Sequence, residues 1–250
     1  MLTLFEHGSH KNILWHDLGG GEMVQANQHV IIDGEDSIIL DPGGHKIYSQ
    51  LFGDVSTHLP PGGIRYIFLS HQDPDIVAAI NGWLMVSEAT AFASSLWMRF
   101  IPHFGVDELV VERLKPIPDE GMSLPFGAGH LKFVPAPFLH SAGNFHVYDP
   151  ASKILYTGDL GASIGAETMM VEDFDAHVPS MKGFHQRYMP SNAILRRFVQ
   201  TARALDIECI APQHGAIFKG RELVGALLDW LETLEAGVDL MPDGPFAIPG

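Results

Sequence analysis

One heptapeptide constrains this chain more than any other stretch: Ser70-His-Gln-Asp-Pro-Asp-Ile76. A short apolar run at 65–69 leads into it, and a helical pattern at 74–86 leaves it. His71, Asp73 and Asp75 alternate, so a locally extended turn can aim all three side chains the same way. Imidazole and carboxylate at that density suit a metal cation. Pro74 falls in the first helical turn, where its missing N–H costs nothing, and Asp73 is placed to cap the helix.

Three further donors stand at strand ends downstream. They are His140 in Phe138-Leu-His-Ser141, Asp159 in Tyr156-Thr-Gly-Asp-Leu160 and His214 in Ala211-Pro-Gln-His-Gly215. Each follows an apolar segment and neighbours Gly, Ser or Pro, as ligands on loops held by a rigid sheet do. Taken singly, each has an ordinary reading. His140 reads equally as a buried, hydrogen-bonded imidazole, Asp159 as a turn residue, and His214 as the end of a turn. Together with the dense cluster at 71–75 they point to one metal site.

The surrounding pattern gives the fold class. Residues 12–16, 24–32 and 37–40 read as strands, with Gly19-Gly-Gly21 and Asp33-Gly34 as turns. A helix is expected at 45–52. Residues 110–114, 131–135, 144–148 and 153–156 read as strands of a second sheet. Amphipathic helices at 192–205 and 221–234 flank a short strand within 206–211. Strands grouped early and again mid-chain, each group followed by helices, predict an α/β (α+β) two-sheet sandwich with helices outside. The expectation is one domain over residues 1–250. The segment 165–189 reads as irregular; its Met169, Met170, Met181 and Met189 suit a lid, an interface or adaptable core packing.

Composition excludes some functions. Thirty acidic residues against 15 basic ones give a net charge of −15, which disfavours a nucleic-acid partner. Cys209 is the one cysteine, so no internal disulfide forms and a small core residue is expected. No stretch approaches the roughly 20 apolar residues that span a bilayer, and the first residues lack the pattern of a secretory signal. A cytoplasmic protein with no membrane partner is expected.

The order HxDxD…H…D…H resembles the metallo-β-lactamase superfamily. The carboxylate at position 73 is similar to its flavodiiron branch, whose motif is H-x-E-x-D-H. The nearest likeness is to single-domain oxygen-binding di-iron proteins. It extends over Gln25-Ala-Asn-Gln-His-Val30, Leu40-Asp-Pro-Gly-Gly44, Tyr156-Thr-Gly-Asp159, Arg187-Tyr-Met-Pro190 and Ile210-Ala-Pro-Gln-His-Gly215. The resemblance implies an αββα sandwich. It assigns one metal to His71, Asp73 and His140, a second to Asp75 and His214, and the bridge between them to Asp159 with a hydroxo or oxo group. Two positions depart from the family: Asp73 is one methylene shorter than the usual glutamate, and Ile76 stands where a histidine is common. Carboxylate in place of imidazole hardens the site and favours iron or manganese over zinc, and the resemblance implies iron.

The function implied is a di-iron protein that binds or senses dioxygen or nitric oxide. A flavodoxin-like domain is not expected within these residues, so electrons would come from an external donor, or a signalling partner would read the metals. The competing reading is a two-zinc hydrolase, with Asp75 orienting a metal-bound hydroxide. His29 is a further catalytic candidate, as a support behind the ligands or a donor to bound gas, and reads equally as an ordinary surface or core histidine. Asp41 is expected to support the site without ligating. His45, His146 and His185 are reserve ligands, and Tyr188 is expected in an aromatic core, with a place facing the pocket as the alternative. A homodimer is expected by analogy.

Overall fold

Apolar residues that alternate, or run unbroken, along short segments produce two sheets in the computed structural model. It describes residues 1–21, 23–60, 62–166 and 168–248. The first sheet takes β1 (Leu2–His7), β2 (His10–His16), β3 (Asn27–Asp33), β4 (Asp36–Leu40), β5 (Tyr66–Phe68), β6 (Thr90–Ser94) and β7 (Leu114–Ile117), side by side in chain order. β1 to β4 form an antiparallel meander, and β4 to β7 run parallel. The second sheet takes β8 (Met122–Phe126), β9 (Gly129–Pro135), β10 (Phe145–Asp149), β11 (Ile154–Tyr156), β12 (Cys209–Ala211) and β13 (Phe218–Lys219). Its order is β13-β12-β11-β10-β9-β8, with β11 and β12 the parallel pair.

The sheets face each other across a core that includes Leu14, Ile31, Ile38 and Phe68 from the first and Leu131, Phe133, Val147 and Tyr156 from the second. Helices cover both outer faces. α1 (His45–Val55), α2 (Pro74–Val77) and α3 (Ile80–Val86) pack Leu51, Ile76 and Trp83 against Ile13, Val30, Ile39 and Ile67. On the other side, α4 (Phe174–Tyr188), α5 (Asn192–Arg203) and α6 (Arg221–Thr233) bring Met181, Phe198 and Leu231 onto Tyr148, Leu155 and Ile210. This is the expected αββα sandwich. Ile38-Ile39-Leu40 is apolar throughout because both faces of β4 are covered: Ile38 and Leu40 face the other sheet, and Ile39 faces the helices. Burying each such side chain contributes about 1.5–3 kcal/mol.

The structure corrects several boundaries. The helix expected at 74–86 is two, α2 and α3, broken at Ala78–Ala79. Residues 111–113 form a 3₁₀ turn, and the strand that follows, β7, joins the first sheet rather than the second. The segment expected to be irregular holds the 15-residue α4, with Met181 and Met189 fully buried and only Met169 exposed. Pro179 and Gly183 inside that helix had masked its pattern. β1, β6, β8 and the two-residue β13 were not foreseen; Pro125 in β8 and the small residues of β6 weaken their strand signal. Cys209 is buried, and burial raises its thiol to about 12. Among the described residues no helix is long and apolar enough to cross a membrane.

A polar stitch joins the sheets at the end of β10. His10 lies 2.7 Å from Asp149 Oδ2, and Asn12 donates to the same oxygen at 2.9 Å and to Tyr156 Oη at 2.8 Å. Paired this way, these buried groups avoid the penalty of an isolated charge.

Candidate metal centre

The strands deliver the candidate ligands where they end, on one rim of the sandwich. β5 runs into Ser70-His71. Asp41, just past β4, accepts the Ser70 N–H at 2.8 Å, and Ser70 Oγ lies 2.9 Å from His71 Nδ1. That leaves His71 Nε2 facing the site. Asp41 is thus a support, as expected, and burial lifts its carboxyl to about 6. The backbone stays extended through Asp73 and turns helical at Pro74, so Asp75 sits in the first turn of α2 rather than in one extended stretch with the other two. Asp73 occupies the cap position, but its side chain caps nothing. Gln72 Nε2 instead donates to Asp73 Oδ1 at 2.9 Å, and Ser141 Oγ donates to Gln72 Oε1. Asp73 Oδ2 is left to face His71 and His140.

Asp159 follows Gly158, whose φ of +52° and 3.2 Å clearance to Ser70 Oγ suit glycine. Its loop is held by Thr157 Oγ1 donating to the Leu160 carbonyl and by the Gly161 N–H donating to His185 Nε2 at 2.9 Å. His185 Nδ1 donates to the Met181 carbonyl. Both its nitrogens are therefore used, and burial lowers it to about 4. His214 Nδ1 lies 2.6 Å from the Gln25 carbonyl, which can only accept, so Nδ1 carries the proton and Nε2 faces inward. The Gly215 N–H donates to Gln25 Oε1, while Asn27 Nδ2 donates to the Pro212 and Gly215 carbonyls.

The six side chains come together in two groups that share Asp159. Its Oδ2 lies 2.9 Å from His140 Nε2 and 3.9 Å from His71 Nε2; Asp73 Oδ2 lies 3.5 and 3.6 Å from the same nitrogens. Ligand atoms of His71, Asp73 and His140 all fall within 4.8 Å of one another. Its Oδ1 lies 3.4 Å from His214 Nε2, which is 3.3 Å from Asp75 Oδ2. Buried Asp159 Oδ1 has no well-formed hydrogen bond. An orphaned carboxylate oxygen beside imidazole nitrogens suits a cation between them.

Electrostatics agree. Burial penalises the Asp159 anion, yet His140 and His214 outweigh it and hold the carboxyl far below its ordinary range. Burial opposes the charged form of His214, but Asp159 and Asp75 raise it to about 10. His71 is raised by Asp73 and Asp159 against its burial, and Asp73 is lowered chiefly by His71.

The other candidates lie apart from these groups. Ile76, within α2, turns its hydrocarbon side chain fully into the core, so position 76 offers no ligand. His146 packs edge-on to Phe198, is lowered to about 3 by burial and has no hydrogen-bond partner. His29 packs edge-on to Tyr156 between the sheets, and burial lowers it to about 3. His45 is exposed at the start of α1. Tyr188, expected in an aromatic core, is 54% exposed, 5.6 Å from the His140 ring, and lines the cleft above the site. That cleft of about 650 Å³ reaches Asp73, Asp75, His140, Asp159 and His214. Sequence reasoning missed the supporting roles of Gln25, Gln72 and Ser141. Gln25 stands in a stretch that carried the family likeness, but its task depends on a loop nearly 190 positions away.

Solved structures resemble this one. The chemotaxis sensor ODP in a form described as a peroxy diiron species is 42% identical with a TM-score of 0.86, over 96% of this chain and 97% of that one. The apo state of the chemotaxis sensor ODP from T. denticola is 41% identical, with a TM-score of 0.85 over 96% of both chains. Rubredoxin oxygen:oxidoreductase from Desulfovibrio gigas shares the fold at 15% identity, TM-score 0.78, over 92% of this chain and 61% of that one. Among curated proteins, the uncharacterized protein MJ0732 of Methanocaldococcus jannaschii is 23% identical over 82% of this chain and 52% of its own length. Diflavin flavoprotein A 1 of Synechocystis sp. is 28% identical over 77% and 34%. The chain thus spans about half or less of the curated relatives it matches. The family model described as ODP family beta lactamase matches residues 24–215, which hold all six convergent side chains, and the chain belongs to that family, on the flavodiiron branch of the metallo-β-lactamase fold.

Proposed function

We propose that this chain holds two iron ions and serves as a sensor that binds dioxygen or nitric oxide. The observation that carries the reading is the division of Asp159, one oxygen turned to His71, Asp73 and His140 and the other to His214 and Asp75. His71, Asp73 and His140 would hold one ion, Asp75 and His214 the other, with Asp159 and a hydroxo or oxo group between them. Three carboxylates harden the donor set towards iron, and the 42% identity to a chemotaxis sensor supports sensing. A ferrous pair supplies binding and reduction of a diatomic gas.

The chain's own residues set the conditions for that chemistry. Gln25 fixes the tautomer of His214, Ser70 holds the His71 ring through Nδ1, and Gln72 turns Asp73 inward. Buried and neutral, His29 is assigned to packing against Tyr156, and Tyr188 roofs the His140 side of the cleft. Sustained reduction would draw on a separate electron donor, and a signalling partner in the same cytoplasmic setting would read the state of the site.

Metal analysis of protein purified without oxygen, followed by admission of dioxygen, tests this. Two irons per chain and a new visible absorption on oxygenation are expected. Zinc at both positions, with ester or phosphodiester hydrolysis that depends on Asp75, would replace the proposal with a hydrolase.

A further inference from the structure

The cleft is larger than a diatomic gas requires. At about 650 Å³ it falls within the roughly 300–1,000 Å³ that organic ligands occupy. Part of its lining is apolar: Met23, Val24, Ile164, Phe184 and Tyr188. Val24, Ile164 and Tyr188 each leave more than half their surface exposed, at 65%, 52% and 54%. Apolar side chains grouped at a cleft mouth mark a place where something apolar binds.

Another part of the lining is the start of α1, from Gly44 to Ile47. The N-cap is Gly44, which has no side chain to cap with, and the first turn holds no acidic residue. First-turn N–H groups have no partner inside their own helix, and the helix dipole favours negative charge there. Gln28 lies in the same wall. It has no exposed surface, and neither its Oε1 nor its Nε2 has a hydrogen-bond partner. A Cβ placed on Gly43 would come 3.7 Å from that Nε2, so the amide nitrogen sits beside the entry to α1. A buried amide with every bond unmade is costly, and the described residues supply it no hydrogen-bond partner.

We propose that this cleft binds an organic carboxylate. Its head group would lie against the α1 N-terminus and Gln28, and its apolar body against Val24, Ile164 and Tyr188. The site shares its cleft with the two-metal reading, in which Asp73, Asp75 and Asp159 with a hydroxo group already offset two divalent cations, so the hold on the head group would come from the α1 N-terminus and Gln28 rather than from spare charge at the metals. The described lining holds Lys46 at the start of α1 and no arginine; without the guanidinium fork that grips phosphate oxygens in pairs, a single carboxylate is favoured over a phosphate ester.

The test is calorimetric titration of the full chain, loaded with redox-silent zinc, with benzoate and with benzyl alcohol. One benzoate per chain is expected, with no measurable binding of the alcohol. Gln28→Leu should weaken benzoate about ten-fold or more, the scale of one hydrogen bond to a charged group. His45→Asp places a carboxylate in the first turn of α1; it should hold or raise the melting temperature while weakening benzoate several-fold. Two metals per chain without benzoate binding would overturn the carboxylate site and leave the metal reading intact. Equal affinity in wild type and both folded variants would also overturn it. A chain that takes up no metal would overturn the metal reading instead. Gln28-dependent benzoate binding to that metal-free chain would still support the subsite, and its absence would sink it.

Discussion

The Gln25 carbonyl accepts the Nδ1 proton of His214 at 2.6 Å, and this one contact decides which imidazole nitrogen faces Asp75 and Asp159. The Gln25 side chain reinforces it by accepting the Gly215 N–H and donating to Asn27 Oδ1. Gln25→Ala keeps the carbonyl but frees the turn. Partners of this kind are worth about 10–100-fold in metal affinity. The expected outcome is a ten-fold or greater loss at one metal position and little change at the other, read by competition with a chelator. Equal loss at both would show general loosening instead.

Asp159→Asn removes the anion shared by the two groups. One ion per chain at most is expected, because the amide cannot offset the charge of a cation pair. Elemental analysis of folded protein reads this directly; two retained ions would refute the bridging role.

His29→Phe should leave both metal content and gas affinity unchanged. The imidazole makes no well-formed hydrogen bond and packs on Tyr156 at a centroid distance of 4.8 Å. The polar group nearest the ring, the Pro212 backbone carbonyl, keeps its bond from Asn27 Nδ2, so exchanging the ring for an apolar one of similar shape strands no buried partner and should be near neutral. Denaturant unfolding with gas titration checks both halves. A large fall in gas affinity would return His29 to the reacting centre.

The stitch between His10 and Asp149 makes stability depend on pH. Burial lowers His10, but Asp149 and Asp33 outweigh it and raise its pKa above 6.5. Burial raises Asp149, but bonds from His10, Ser152 and Asn12 outweigh it and hold the pKa below 3.8. The His10 contribution is full below 6.5 and fades as pH rises through the higher folded value. The Asp149 contribution is full above 3.8 and fades as pH falls through the lower one. The pair therefore stabilises most between 3.8 and 6.5. His10→Asn should flatten that part of the unfolding profile, and Asp149→Ala should cost about 3–5 kcal/mol. An unchanged profile in His10→Asn would exclude the stitch as its source.

Gly215→Ala should destabilise the His214 turn. Gly215 has φ +82°, and a Cβ there would meet Ser163 Oγ at 1.9 Å and backbone beyond it. Left-handed strain and overpacking each cost about 1–3 kcal/mol. A drop in melting temperature together with loss of metal at the His214 position is expected; a stable variant with full metal content would contradict the close approach.

Much of the centre was written locally. His71, Asp73 and Asp75 fall within five positions, and His140, Asp159 and His214 each end an apolar run, so residue type and strand-end placement singled out six candidates that the fold then brings together. The αββα order followed from unbroken apolar strands such as Ile38-Ile39-Leu40 beside amphipathic helices, because burial on both faces leaves that mark in the chain. Other features became visible only on folding. Which oxygen of Asp159 meets which imidazole, the grip of Gln25 on His214, and the placing of Gln28 beside α1 join residues far apart in sequence. Such contacts depend on how strands register and sheets pack, and a hydrogen bond between distant residues has no period or local pattern to betray it.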